Sequence, residues 1–130
     1  MSDKMSDEEN FDDLFVEKNE LLDKKVVKGI LKDYVELTKE GDIFLKELFH
    51  KLSNEKKIFV LLLARKVLSL TVGKEELTAP KEIQDITGMP RGSCNLKLTE
   101  LEEKRFLKSE NGKYFVPNYA ISKIRGIFNE

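Results

Sequence analysis

The stretch PKEIQDITGMPRGSCNLKLTELEEKRFLKSENGKYFVP, Pro80–Pro117, decides how this chain is read. Pro80 suits the first turn of a helix, where its φ is already set and its missing N–H would have had no partner. That helix, KEIQDIT, stops at Gly88, and Met89 and Pro90 complete a tight turn. A second helix is predicted from about Arg91 to Lys104. On it Cys94, Leu98 and Leu101 fall at i, i+4 and i+7, the spacing that points three side chains into one core. Ile83, Ile86 and Met89 are expected to pack the preceding helix and the turn. Leu107–Glu110 and Lys113–Val116 then flank Asn111-Gly112, the two-residue signal for a type I′ hairpin.

Upstream, Ser53 is a good N-cap for SNEKKIFVLLLARKVLSL, a helix predicted to end near Gly73. Apolar residues surround much of its circumference, which makes it the expected central core helix. Lys74–Ala79 reads as a short extended connector. Further upstream, Leu22, Val26, Ile30 and Leu31 recur at helical spacing and predict an amphipathic helix over 20–33, weakened by Gly29. Residues 34–46 admit two readings. Tyr34–Thr38 can turn at KEGD into Ile43–Lys46 as a hairpin, or Asp42 can cap a helix carrying Leu45, Leu48, Phe49 and Leu52 on one face. The longer pattern favours the helix, so 20–52 is read as a helical extension. After Pro117, NYAISKIRGIF predicts a C-terminal helix over 118–130. Residues 1–19, rich in Asp, Glu, Ser and Asn, are expected to be a disordered acidic tail. Inside that tail FDDLFV, Phe11–Val16, sets large apolar residues among acids.

The order of these elements, and the residues in them, resemble a winged helix-turn-helix domain. The run from Pro80 to Pro117 is similar to the P-x-E-I…T-G-[hydrophobic]-P-[RK]-G-[ST]…L…L pattern of prokaryotic winged-helix regulators of the broad MarR- and ArsR-like groups. With the helix from Ser53 the resemblance covers residues 53–117, half of the chain. It implies a mainly α fold with a small β-hairpin wing, extended by extra N- and C-terminal helices. It also implies double-stranded DNA as partner, with the 91–104 helix in the major groove and the 107–116 hairpin on the flanking backbone. The residues carried over are Arg91, Ser93, Asn95 and Lys97 on the helix, and Lys108 and Lys113 on the wing. Arg91 can fork two donors to guanine or phosphate and Asn95 can pair with adenine. Ser93 and the first-turn N–H groups suit a phosphate oxygen, and the two wing lysines can neutralise further phosphates.

Four features depart from that pattern. Cys94 stands where Val usually packs and is read as a small core residue. Leu96 falls where an exposed polar or basic side chain is common. Glu100, Glu102 and Glu103 put acids on the later turns of the same helix. Arg105 occupies a position where Gly commonly adopts a left-handed conformation. The DNA surface is therefore expected to be narrow, and binding modest and salt-sensitive.

Charge and composition bound the function further. Residues 1–23 carry nine acids against two bases, while the remainder carries a net +6, so an acidic tail precedes a mildly basic body. One cysteine excludes an internal disulfide and fits a reducing cytoplasm. With one histidine, His50, read as a surface residue, no zinc site is expected. No cofactor is implied and no membrane segment is visible: Ile58–Leu63 is too short to span a bilayer, and MSDKMSDEEN lacks the apolar region of a secretory signal. No Ser-His-Asp order, phosphate-cradling loop or H-E-x-x-H occurs, so an enzyme is not expected. A DNA-binding regulator or architectural factor is the leading reading. The alternative is a winged helix used as a protein adaptor, through Leu96 or the Phe11–Val16 segment. The terminal helices can form a homodimer seam or pack on their own core. The acidic tail can also compete with DNA for the basic face.

Overall fold

The computed structural model describes Phe11 and residues 22–129; the expectation for the 1–19 tail otherwise lies outside the described residues. The chain is mainly helical, with two short antiparallel hairpins. Its elements are α1 (Lys24–Leu31), β1 (Val35–Leu37), β2 (Ile43–Leu45), a 3-10 turn (Glu47–Lys51), α2 (Asn54–Val72), α3 (Pro80–Thr87), α4 (Arg91–Glu103), β3 (Lys108–Glu110), β4 (Lys113–Phe115), a 3-10 turn (Asn118–Ala120) and α5 (Ile121–Phe128).

Local chemistry sets the boundaries of α2. Ser53 Oγ accepts from the Lys56 N–H at 3.3 Å, and Gly73, at φ +75°, closes the other end in the left-handed region that only glycine enters without strain. Between them Ile58–Ala64 are all fully buried, which requires neighbours on every side. Those neighbours are α1, α3, α4, α5 and both hairpins, whose apolar faces join one core. The stripes of α1 (Val27, Ile30, Leu31) and α5 (Ile121, Ile124) therefore pack within the chain itself. Among the described residues no helix is long and apolar enough to cross a membrane.

The helix expected from Asp42 does not form. Ile43–Leu45 pair with Val35–Leu37 instead, in the register Val35↔Leu45, Glu36↔Phe44, Leu37↔Ile43. Gly41 at φ +95° reverses the chain, and Asp42 donates its N–H to Thr38 Oγ1 at 3.0 Å rather than capping a helix. The Lys46 N–H donates to Tyr34 O at 2.8 Å, extending the ladder past Leu45. Backbone groups committed to a partner strand are no longer available to a helical turn. Helical geometry resumes only at Glu47–Lys51, where Phe49 is buried and Leu48 is left in solvent. The apolar residues at helical spacing were thus divided between a strand and a single turn.

Two basic residues of α2 are buried as well. Arg65 is only 4 % exposed, and its Nε and Nη2 donate to Glu75 O at 3.1 and 2.9 Å while Nη1 meets Glu82 Oε2 at 3.0 Å. Lys66 Nζ reaches Glu76 Oε2 at 2.7 Å. Glu82 in turn accepts the Ala79 N–H at 3.2 Å, tying the first turn of α3 to the same guanidinium. These bonds fasten the 74–79 connector and α3 to the central helix. Burial pushes the Glu82 carboxyl upward, but the Arg65 hydrogen bond, the Ala79 N–H and the charges of Arg65 and Lys113 outweigh it and hold the group below its ordinary value. A carboxyl depressed in the folded state stabilises above its unfolded pKa, about 4.3 for Glu, and that stabilisation is lost as pH falls through the folded value. Stability measured by urea midpoints is therefore expected to fall below about pH 4.3, and Glu82→Gln to flatten part of that decline. Parallel profiles for the two proteins would remove Glu82 from the acid response.

Candidate nucleic-acid interface

The inward side of α4 is fixed by Cys94, Leu98 and Leu101, each at most 1 % exposed. Burial raises the Cys94 thiol above its ordinary pKa, so it stays protonated and inert. The remaining circumference of α4 is thereby turned outward. Pro90 precedes the helix without a side-chain cap, so the N–H groups of Arg91, Gly92 and Ser93 have no intrahelical carbonyl partner. All three residues are exposed.

At 3.6 residues per turn the exposed part of α4 divides into two flanks. Arg91, Asn95 and Thr99 lie on one of them, facing Lys81 and Gln84 of α3 and Gly112 and Tyr114 of the β3–β4 hairpin across an open cleft of about 610 Å³. Gln84 Nε2 donates weakly to Asn95 Oδ1 at 3.4 Å. Arg91 pairs with no carboxylate among the described residues. Lys81 bridges Asp85 at 2.9 Å with both groups well exposed, a pair that solvent weakens.

Ser93 and Lys97 fall on the opposite flank. Lys97 Nζ donates to Glu100 Oε1 at 2.8 Å. That bond raises the Lys97 pKa against the opposing effect of burial, with the charges of Glu100 and Glu55 adding to the rise. Glu100 is correspondingly held low by the Lys97 bond and charge, with Lys104 contributing. Leu96 stands between the flanks, 71 % exposed.

The hairpin reverses at Asn111 and Gly112, both at positive φ (+52° and +79°), as a type I′ turn requires. It is held to α4 by Ser109 Oγ, which donates to Glu102 Oε2 at 2.6 Å. Thr78 of the connector exchanges two backbone hydrogen bonds with Tyr114, at 3.0 and 2.9 Å, an isolated antiparallel bridge that ties the connector to β4. Burial raises the Tyr114 phenol, and the charge of Glu102 and the Cys94 thiol add to the rise. Lys113 points toward the connector, 3.5 Å from Glu75. Lys108 lies on the far side, beside Arg105 and Tyr119. Of the six residues carried over from the resemblance, the fold thus unites Arg91 and Asn95. Ser93 and Lys97 share the other flank of α4, and the two hairpin lysines stand apart from both.

Lys81, Gln84, Thr99 and Tyr114 were not singled out in the sequence. Lys81 and Gln84 carried one legible signal, an i, i+3 spacing on the solvent side of a helix whose Ile83 is buried. Arg105 does take the left-handed conformation, at φ +67°, where a side chain costs about 1–2 kcal/mol. Arg105→Gly relieves that strain against the greater freedom of glycine in the unfolded chain. A net gain of about 0.5 kcal/mol is expected, read as a higher urea midpoint at constant slope. His50 is exposed, edge-on to the Phe49 ring at 5.7 Å. No group of three His, Cys, Asp or Glu side chains that could hold a metal occurs among the described residues. No family model, curated protein or solved structure matches the chain.

Proposed function

We propose that this chain is a winged helix-turn-helix protein that binds double-stranded DNA as a transcriptional regulator or architectural factor. The N-terminal half of α4 enters the major groove and the β3–β4 hairpin is the wing on the adjoining backbone. The observation that carries this reading is the shared cleft. Arg91, Asn95, Gln84 and Lys81 converge with the hairpin tip at Gly112 around one open concavity, on the side of α4 that the core leaves exposed. Arg91 supplies a fork of donors that no carboxylate occupies among the described residues, suited to guanine O6 and N7 or to a phosphate. Asn95 can turn its amide to an adenine edge after giving up only the long bond from Gln84. Ser93 and the first-turn N–H groups suit a phosphate oxygen. Lys97, Lys108 and Lys113 serve the periphery, and Lys97 and Lys113 must first release Glu100 and Glu75.

Few cations are thus ready to meet phosphates, so affinity should be modest. The test is anisotropy of a labelled duplex titrated with protein at stepped salt. Each neutralised phosphate contributes a slope of about −0.9 in log affinity against log salt, so two to four contacts give roughly −2 to −4. No binding at low salt, or binding indifferent to salt, ends the DNA reading.

One observation favours a second reading, in which the same helix docks a protein. Leu96 is a large apolar side chain at the centre of the outward face, with Glu100 beside the Lys97 flank and Glu103 beyond it. That arrangement suits a partner with an apolar pocket and a basic rim. It predicts that Leu96→Asp leaves duplex binding unchanged.

A further inference from the structure

We propose that the groove between α1, the β1–β2 hairpin and the C-terminal half of α2 is the docking site for the chain's own Phe11–Val16 segment. The groove holds about 410 Å³ and is lined by Val27, Leu31, Val35, Leu37, Val67 and Leu70. Leu70 is 63 % exposed in it, although the same helix is fully buried over Ile58–Ala64. Three lysines, Lys24, Lys28 and Lys32, edge the apolar strip at four-residue spacing. Among the described residues none of them pairs with a carboxylate. An apolar strip beside a row of ammonium groups selects an acidic segment with large apolar anchors.

FDDLFV has that composition. Phe11, Leu14 and Phe15 fall at i, i+3 and i+4, one helical face, while Asp12 and Asp13 fall outside it. Phe11 is 66 % exposed, an aromatic ring without a core of its own. Connectivity favours the same chain over any other source. Leu22 itself lines the groove, and only residues 17–21 separate it from Val16. Five residues span at most about 18 Å, and a tether that short holds the segment at millimolar effective concentration. None of the residues around the α4 cleft lines this groove, so a docked segment leaves the proposed DNA face open.

The test uses the full chain without DNA, so its outcome is separate from that of the duplex titration. A nitroxide is attached at Asn10→Cys in ¹⁵N-labelled protein; the buried Cys94 escapes labelling. The amides of Leu31, Val67 and Leu70 are expected to lose more than half their intensity. Leu70→Asp in the same chain should restore them, with unmoved α4 amides reporting an intact fold. Three outcomes overturn the proposal. The groove amides are not broadened at all; the broadened amides are those of Arg91–Thr99 and the hairpin, which puts the tail over the α4 cleft; or equal broadening appears when nitroxide-bearing ¹⁴N chains are mixed with nitroxide-free ¹⁵N chains, which makes the contact one between copies.

Discussion

Arg65→Ala is expected to lower the free energy of unfolding by about 3 kcal/mol, measured as a shift in urea midpoint. The side chain is 4 % exposed and makes three hydrogen bonds, two to Glu75 O and one to Glu82. Its removal leaves the Glu75 carbonyl without its donors and Glu82 without its cation, and it opens the space the aliphatic stem filled. Glu82 is itself 44 % exposed and can be rehydrated, which keeps the loss below that of a fully buried pair. Arg65→Met retains most of the stem and should recover part of the loss, separating packing from hydrogen bonding. The damage should also reach the proposed interface. With the clamp gone, the first turn of α3 loses its polar tie to α2 and the connector keeps only the Lys66–Glu76 pair, so Lys81 and Gln84 are held less firmly relative to Arg91. A wild-type midpoint for Arg65→Ala would falsify the claim that this clamp holds α3 in place.

Arg91→Glu is expected to weaken duplex binding about thirtyfold at low salt, or about 2 kcal/mol. The position is exposed at the start of α4 and makes no ion pair among the described residues, so the substitution should leave the urea midpoint within about 0.5 kcal/mol of wild type. The change removes a cation from the cleft and adds an anion, so the salt slope should also become shallower. Lys97→Glu provides the contrast. Lys97 already holds Glu100 at 2.8 Å on the other flank, and its reversal should cost DNA affinity several-fold less. Equal losses at the two positions would mean that the flanks act together and that the cleft does not define the contact. An unchanged affinity for Arg91→Glu would take Arg91 out of the interface.

Much of the fold was legible because its signals are local. Ser53 and Gly73 bound α2, Pro80 and Gly88 bound α3, and Asn111-Gly112 makes its turn; each depends on the φ range or capping chemistry of one or two residues. The inward trio of α4 needed only helical periodicity. At 34–46 the local signal misled. Leu45, Leu48, Phe49 and Leu52 do fall at helical spacing, but pairing of Ile43–Leu45 with Val35–Leu37 supplied hydrogen bonds that periodicity cannot register.

The candidate site was less legible than the fold. Its basic residues could be named, but their partners lie far along the chain: Glu75 reaches Lys113 across 38 positions, and Gln84 reaches Asn95 across 11. Taken alone, the sequence determined where α2 and α3 begin and end, which face of α4 is apolar and where the second hairpin turns. Only the tertiary structure decided that Arg65 is buried, that Arg91 and Asn95 share a cleft while Lys97 does not, and that a lysine-edged groove opens beside Leu22. Turns and caps are set by neighbours in sequence; burial, charge pairing and clefts are set by which distant elements pack together.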